Sequence, residues 1–335
     1  MAIFKLLKLN TMHQKASFIK DLSLPVVAAP MFLISGPQLV IECCKNGIVG
    51  TFPALNQRTS EGFEEWLIEI KAALHKFEVE TGKKAAPFGV NLIVHQTNPR
   101  LEADLKLCIK HKVPLIITSL GAVAQVVNAI HSYGGLVFHD VIKKRHAEKA
   151  AEAGVDGLIL VAAGAGGHAG TINPMTLVGE IKKFFHKTIL LSGCISKGRD
   201  IASALQMGAD LAYMGTRFIN TKESKATNEY RKMIIDAGAS DVVYTASISG
   251  VHANFLGASL KAAGITEEDL NKDVKVDFGK ELDTEAKAWK TIWSAGQGVA
   301  MIDDVESVSE LVTNLKSEFK SAIEEQIKVL ETFPK

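Results

Sequence analysis

The sequence predicts an α/β protein built as a (β/α)8 barrel, with a smaller, mainly helical second region near the C-terminus. Two observations support the barrel. Eight short apolar segments alternate with amphipathic helical stretches up to about Asn220, which is the pattern of strands that each lead into a helix. A helix–Gly–Ala/Val–Asp–strand pattern also occurs twice, at Ala150–Ile159 and Ala204–Ala212, as expected of repeated β/α units.

The elements follow from this alternation. The predicted strands are Val26–Ala29, Ile48–Phe52, Phe88–Ile93, Leu115–Ser119, Leu136–His139, Leu158–Val161, Ile189–Ser192 and Leu211–Met214. The predicted helices between them are Pro37–Lys45, Glu61–Glu80, Leu101–Lys110, Val123–Ser132, Lys143–Ala153, Pro174–Phe185 and Gly198–Met207. An open doubly wound sheet is the alternative, but it usually carries G-x-G-x-x-G after its first strand. Here the first strand ends in Ala-Pro-Met-Phe, which favours the barrel.

The alternation stops after Thr221. Helices are predicted at Tyr230–Ala237, Asn254–Gly264 and Glu281–Lys290, and an extended segment is predicted at Asp241–Ile248. A long amphipathic helix is predicted at Ser307–Glu331. We therefore expect residues 1–220 and 300–335 to form the barrel with its C-terminal helix. Residues 221–299 are expected to form a smaller domain that covers the barrel mouth.

Composition narrows the class of protein. The 335 residues are 47% hydrophobic and 22% charged, with a formal net charge of +1, so no general attraction to nucleic acid or to a membrane surface is expected. The cysteines form no C-x-x-C pair and no zinc-type spacing, so no metal site is predicted and a reducing, cytoplasmic location fits best. The N-terminus lacks the features of a signal peptide. A small-molecule substrate is expected, and a homodimer is left open.

A glycine-rich loop follows the sixth predicted strand. The apolar run Leu158–Ala163 is typical of a strand buried on both faces. It leads into Gly-Ala-Gly-Gly-His-Ala-Gly, whose glycines can adopt positive φ and let the backbone approach a flat ligand. His168 is the titratable side chain of this loop. A single histidine is usually structural, but at a strand end among glycines His168 is a candidate acid or base beside a cofactor ring.

The ends of the last two strands suggest a phosphate site. Strand seven ends in Ser192-Gly193 and strand eight ends in Met214-Gly215-Thr216. Barrels often bind phosphate with these two loops, because glycine backbone N–H groups can face the ligand. The alternative is that both glycines serve only as turns. Two glycines at these two positions favour a cofactor phosphate, with the Thr216 hydroxyl as a further donor.

Three other segments are candidates for ring contacts. Ala29-Pro30-Met31 ends the first strand and is either core or a backbone shelf for a heteroaromatic ring. Asn91 is an amide at the end of an apolar strand and needs a hydrogen-bond partner in the protein or in a ligand. The Ser294-Ala295-Gly296-Gln297-Gly298 loop is either a turn or a lid from which Ser294 or Gln297 reaches the site.

Together these motifs resemble, in the same order over nearly the whole chain, the nitronate monooxygenase family, formerly called 2-nitropropane dioxygenases. The resemblance implies an FMN-dependent TIM barrel with a smaller second domain, without a metal, that oxidises alkyl nitronates with O2. It also implies that His168 is the catalytic base. The cofactor-binding set is then Ala29, Pro30, Met31, Asn91, Gly166, Ser192, Gly193, Gly215, Thr216, Ser294 and Gln297.

Two segments depart from the family pattern. Residues 32–36 read FLISG where many members have a small glycine-rich turn, and residues 50–56 read GTFPALN where a G-G-L-G-type ending is common. They bear on the substrate more than on the cofactor. Two alternatives therefore stand beside nitronate oxidation. One is an NAD(P)H-dependent FMN reductase of quinones or enoyl thioesters, and the other is a barrel that keeps FMN as a binding or sensor module.

Overall fold

The computed structural model describes residues 15–121, 124–248, 250–272 and 292–333, and its central element is a closed eight-stranded parallel barrel. The eight strands lie around the barrel in the order in which they occur along the chain, and the last pairs with the first to close it. All eight predicted strands are confirmed, with ends that differ by no more than two residues. The barrel strands are β1 (Val26–Ala28), β2 (Val49–Pro53), β3 (Phe88–Ile93), β4 (Leu115–Ser119), β5 (Leu136–Val141), β6 (Gly157–Val161), β8 (Thr188–Ser192) and β9 (Leu211–Met214).

Helices follow most of these strands, as predicted. The described α-helices are Pro37–Lys45, Ser60–Thr81, Leu101–Lys110, Ala124–His131, Lys144–Glu152, Pro174–Ile181, Gly198–Met207, Thr216–Ile219, Asn228–Asp236, Gly257–Ala262 and Val308–Thr332. Short 3-10 helices lie at Ser17–Asp21, Ala54–Asn56, Ala239–Asp241, Asp269–Asn271 and Gln297–Met301. The predicted helix Glu281–Lys290 lies outside the described residues. Across the described ranges, none of the helices combines the length and the apolar composition needed to cross a membrane.

Local sequence signals set the helix ends. Thr59 caps the helix Ser60–Thr81 by accepting a hydrogen bond from the Gly62 N–H, and the helix ends at Gly82 with φ +66°. The helix Val308–Thr332 begins with a capping box between Ser307 and Glu310. It packs along the helix Gly198–Met207 and so joins the C-terminus to the barrel.

The barrel separates two hydrophobic layers, because successive side chains of a strand point to opposite faces. One face packs inside the barrel and the other packs under the surrounding helices. Phe138 is inside, for example, whereas Val137 and Val141 belong to the outer layer. The inner layer contains Val27, Val49, Leu115, Ile117, Phe138, Ile159, Leu190 and Leu211.

A small antiparallel sheet stands beside the barrel. Its order is β10 (Val242–Thr245), β11 (Ala253–Leu256) and β7 (Gly167–His168). The extended segment predicted at Asp241–Ile248 is thus confirmed, but the helix predicted at Asn254–Gly264 is wrong over its first residues. Ala253–Leu256 is a strand because it pairs on both sides with segments distant in sequence, and the helix begins only at Gly257.

Candidate active site

A cavity of about 1000 Å³ opens at the C-terminal ends of the barrel strands, which we call the mouth. This is the end where barrel enzymes place their chemistry. Gln297 is the one predicted site residue that does not line the cavity; its neighbours Gly296 and Gly298 do. The predicted residues that the structure brings together around the cavity are Ala29, Pro30, Met31, Asn91, Gly166, His168, Ser192, Gly193, Gly215, Thr216 and Ser294.

His168 is held at the mouth by its own short strand. β7 pairs with β11 so that His168 lies opposite Ala253, and the Ala169 N–H donates to the His252 carbonyl oxygen. The His168 side chain lines the cavity, and burial lowers its pKa to about 4. The imidazole is therefore neutral near pH 7.

The loops after β6 and β8 depend on glycine. Gly164 and Gly193 have φ values of +79° and +124°, which side chains rarely adopt. A Cβ at Gly193 would lie 2.9 Å from the Ala163 carbonyl oxygen, and one at Gly166 would lie 2.8 Å from the Gly296 nitrogen. The backbone of these loops is thus packed too closely for any other residue.

Gly215 is different. Its φ is −104°, so no positive φ explains the glycine. A Cβ at Gly215 would meet only Ala29 and Met31 side-chain atoms, at 3.6 Å and beyond, which is ordinary contact. The protein itself leaves room for a side chain here, on the wall of the cavity. A bare backbone at this position is what a closely approaching phosphate or ring requires.

The loop Ser294–Gly298 is fastened across the mouth by hydrogen bonds. The Gly296 N–H donates to Thr216 Oγ1 at 2.9 Å, the Gln297 N–H donates to the Gly164 carbonyl oxygen at 2.9 Å, and the Tyr230 hydroxyl donates to the Ser294 carbonyl oxygen. Thr216 therefore uses its oxygen as an acceptor within the protein and keeps its O–H to donate elsewhere. Gln297 acts through its backbone by holding the loop against Gly164.

A polar layer lies inside the barrel just below the mouth. Asn91 Nδ2 donates to Ser119 Oγ at 2.7 Å, and Ser119 Oγ donates to Asp140 Oδ2. Burial raises the Asp140 pKa to about 6, against the opposing effect of the Ser119 hydrogen bond. The second oxygen, Asp140 Oδ1, is buried without a hydrogen-bond partner.

Sequence reasoning missed Asp140 because the fifth predicted strand ended at His139. The observed strand β5 runs on to Val141, and the alternation Leu136, Phe138, Asp140 puts the carboxyl inside the barrel. That alternation was the signal available in the sequence. Burial and the nearby Asp140 also raise the pKa of Tyr213, on β9.

The sequence matches the model of one known protein family. The model of the family described as nitronate monooxygenase matches residues 14–318. The chain belongs to the nitronate monooxygenase family. The resemblance seen in the sequence is thereby confirmed, and this member is a flavin-dependent oxidoreductase.

Two curated relatives illustrate the range of similar sequences. The nitronate monooxygenase of Paraburkholderia phytofirmans is 24% identical, covering 90% of this chain and 93% of the relative. A hydroxy-methyl-oxo-octahydroindene-carboxyl-CoA dehydrogenase of Rhodococcus jostii is also 24% identical, covering 75% of this chain and 68% of the relative. The present chain thus resembles enzymes whose names give different substrates.

Two solved structures share the fold. The nitroalkane oxidase of Streptomyces ansochromogenes superposes with a TM-score of 0.75 at 23% identity, covering 93% of this chain and 100% of that one. FabK of Thermotoga maritima superposes with a TM-score of 0.74 at 23% identity, covering 93% and 97%. At this identity the likeness concerns the barrel architecture.

The residues of this family member fit a flavin. The backbone at Gly215 is bare on the wall of the cavity although the protein has room there for a Cβ. Asn91, Ser119 and Thr216 add polar groups to the same cavity. An isoalloxazine ring is flat and carries both polar edges and apolar faces, which suits such a mixed surface.

Proposed function

We propose that this protein is an FMN-dependent nitronate monooxygenase that oxidises alkyl nitronates with O2 and uses His168 as the base for neutral nitroalkanes. The observation that carries the proposal is the position of His168. Its neutral imidazole lines the same cavity as the bare backbone of Gly215. A base and a cofactor cradle thus face one shared space, as carbon–hydrogen oxidation requires.

FMN is the form of flavin that suits these residues. The backbone N–H groups of Gly193 and Gly215 and the Thr216 hydroxyl would hold its phosphate, and Ser192 lies beside them. The sequence offers no second glycine fingerprint for an adenylate, which favours FMN over FAD. When bound, the flavin supplies the transfer of electrons from substrate to O2.

Ring contacts would come from the first and third strands. The Ala29–Met31 backbone forms a shelf at the end of β1, and the Met31 N–H is already held by Ser35 Oγ at 3.0 Å. Asn91 Nδ2 donates hydrogen bonds to Ser119 Oγ and to the Ile117 carbonyl oxygen. Its carbonyl oxygen therefore remains for a donor of the ligand, and Gly166 lines the same cavity.

The proton step belongs to His168. A neutral nitroalkane must lose its α-proton before it can be oxidised, so the electron pair of the C–H bond passes to the nitro group and the imidazole takes the proton. A nitronate has already lost that proton and needs no base. Burial lowers the His168 pKa to about 4, which leaves the imidazole neutral at pH 7 and makes it a weaker base than a free histidine.

We further propose that residues 221–299 form the part that covers the mouth. Tyr230 stacks on Trp293 with ring centroids 4.8 Å apart, and both line the cavity with Ser294. The strand β11 from this region also holds β7. Such a cover would exclude water from the reacting atoms and keep Ser294 near the cofactor.

An NAD(P)H-dependent FMN reductase of quinones or enoyl thioesters is the second candidate. The cavity volume of about 1000 Å³ favours it, because this is the upper end of the range for ligand pockets and leaves room beside a flavin for an acceptor larger than a small nitronate. Nicotinamide could enter without a separate dinucleotide fold.

Anaerobic mixing separates these functions. The flavin-loaded protein is mixed with propionate-3-nitronate and, separately, with NADH, and the flavin absorbance is followed. Reduction by the nitronate without reduction by NADH is the expected result. Rapid bleaching by NADH alone would replace the proposal with the reductase, and flavin that neither compound reduces would indicate a binding module.

A further inference from the structure

Lysine and histidine side chains line one side of the cavity. We call it the basic side, and it consists of His146, Lys149 and His252. His146 and Lys149 are three residues apart on the helix Lys144–Glu152, so they lie on one face of that helix. His252 directly precedes β11 of the small sheet, and its ring stacks on Tyr244 with centroids 5.1 Å apart. The basic side is thus formed by two elements that are distant in sequence.

These two elements meet close to His168. Gly170 follows His168 by two residues and packs against Ile142, which leads into the helix; a Cβ at Gly170 would lie 2.9 Å from Ile142 Cβ. The Tyr244 hydroxyl donates to the carbonyl oxygen of Ala169, the residue after His168, at 3.0 Å. The basic side therefore begins next to the proposed base and continues along the helix that follows β5.

The positive charge of the basic side is not offset by a carboxylate. Among the described residues Lys149 forms no ion pair, although Glu152 follows it by one turn on the same helix. Burial and the charges of Lys143 and Lys149 lower the pKa of His146, as expected where cations lie near an imidazole without an intervening anion. A cleft with charge of one sign attracts a ligand of the opposite sign.

The hydrogen-bonding groups of the basic side favour a phosphate. Lys149 offers an ammonium, and the rings of His146 and His252 each offer at least one N–H donor. A phosphate group carries several acceptor oxygens and up to two negative charges, so it can accept from all three side chains at once. Lys225 also lines the cavity, but its Nζ lies over the Trp66 ring, 4.1 Å from the centroid, so its charge is already engaged.

We infer that the basic side binds a phosphate group of the substrate, at the end of the molecule away from the reacting carbon. The inference rests on the proposed function for the identity of the reacting group. The cofactor phosphate is a separate group, because its proposed site follows β8 and β9, and neither strand is a neighbour of β5. The cavity of about 1000 Å³ leaves room beside a flavin for a substrate of this size.

A pair of matched substrates tests this inference. Nitrobutanol and its phosphate ester carry the same nitro group and the same chain, and they differ only at the far end. Oxygen consumption with their nitronates gives kcat and KM for the flavin-loaded wild-type protein and for Lys149→Gln. In the wild type the ester should have a KM about tenfold lower than the alcohol, with a similar kcat. Lys149→Gln should raise the KM of the ester about tenfold and leave that of the alcohol unchanged.

The controls separate a phosphate site from a general basic surface and from the cofactor site. Lys144→Gln makes the same change on the same helix, at a lysine that pairs with Glu148 and does not line the cavity, and it should leave both substrates unchanged. Equal KM values for ester and alcohol in the wild type would overturn the inference. An equally low KM for nitropentanoate would also overturn it, because the basic side would then accept any anion. So would a Lys149→Gln variant that binds FMN more weakly, because the basic side would then hold the cofactor.

Binding measurements keep the test independent of turnover. Nitrobutanol and its phosphate ester, as nitroalkanes, are titrated into the flavin-loaded protein by calorimetry at low and at high salt. If no nitronate is oxidised, the proposed function fails. A Kd about tenfold lower for the ester, which rises with salt and loses its advantage in Lys149→Gln, would still establish the phosphate site. Equal Kd values for ester and alcohol would refute it.

Discussion

The side chain of Asn56 holds the backbone of Leu33, which has a strained φ of +60°. Asn56 Oδ1 accepts a hydrogen bond from the Leu33 N–H at 2.9 Å, and its Nδ2 donates to the carbonyl oxygens of Met31 at 3.0 Å and Ser35 at 2.7 Å. Leu33, Ser35 and Asn56 belong to the two segments, 32–36 and 50–56, that depart from the family pattern. The departures are therefore one structural unit, in which the second loop fixes the shape of the first.

Replacing this amide should destabilise the protein. Asn56→Ala removes three hydrogen bonds and leaves the Leu33 N–H without its partner, for an expected loss of about 2 kcal/mol in the free energy of unfolding. Urea denaturation measures it. Asn46→Ala is the matched control, because the Asn46 side chain makes a single bond to the Glu42 carbonyl oxygen, and it should lose half as much or less. Equal losses would mean that the Leu33 loop needs no support.

Gly215→Ala should weaken flavin binding without harming the fold. The backbone conformation at Gly215 suits alanine, and the new Cβ meets the protein only at ordinary contact distances. The methyl group would instead occupy the space of the cofactor, so the Kd for FMN should rise tenfold or more, about 1.4 kcal/mol. Fluorescence titration of the apoprotein gives the Kd. Gly179→Ala, on a helix with open space around it, should bind FMN as the wild type does; an unchanged Kd for Gly215→Ala would make this glycine a turn residue only.

His168→Asn should affect two substrates unequally. Turnover of nitroethane should fall by roughly 10²–10⁴-fold, the range for loss of a general base, whereas the anionic nitronate should lose much less because its proton is already gone. FMN should stay bound, since the proposed phosphate site lies on other loops. His75→Asn, on the exposed face of the helix Ser60–Thr81, should be neutral for both. Equal losses on the two substrates would assign His168 to positioning.

The buried carboxyl of Asp140 predicts a pH-dependent gain in stability for Asp140→Asn. The folded-state pKa, about 6, lies above the ordinary value of 3.8, so the folded protein retains a proton that the unfolded chain has lost. The resulting cost is absent below about pH 4, grows between pH 4 and 6, and is complete above pH 6. For this half-buried carboxyl we expect about 2 kcal/mol.

Urea unfolding of the apoprotein between pH 4.5 and 7.5 measures that difference. The advantage of Asp140→Asn should grow with pH and level off above pH 6. Asp236→Asn changes an exposed carboxyl paired with Lys232 and should stay within about 0.5 kcal/mol of the wild type at every pH. A pH-independent difference, or a loss of stability in Asp140→Asn, would show that the carboxyl is hydrated or paired.

The features that could be predicted from the sequence are those that neighbouring residues determine. The eight strands could be located because each is a short apolar run ended by turn residues, and His168 because glycines surround it. Ala253–Leu256 could not be assigned, since a run of four residues with three apolar ones suits a helix as well as a strand. Only pairing with β7 and β10 decides between them. Asp140 was missed through an error of two residues in a strand end, because burial depends on which face the alternation selects.

The strand that fixes His168 has a consequence for biosynthesis. A ribosome releases the chain from its N-terminus, and the barrel can close once β9 has emerged to pair with β1. At that stage β7 lacks its partner β11, and Thr216 lacks the Gly296 N–H. Neither the strand pairing that positions His168 nor the hydrogen bond that fastens the loop Ser294–Gly298 can form before these later residues have been translated. The mouth described above is therefore complete only when the chain has been made beyond Gly296.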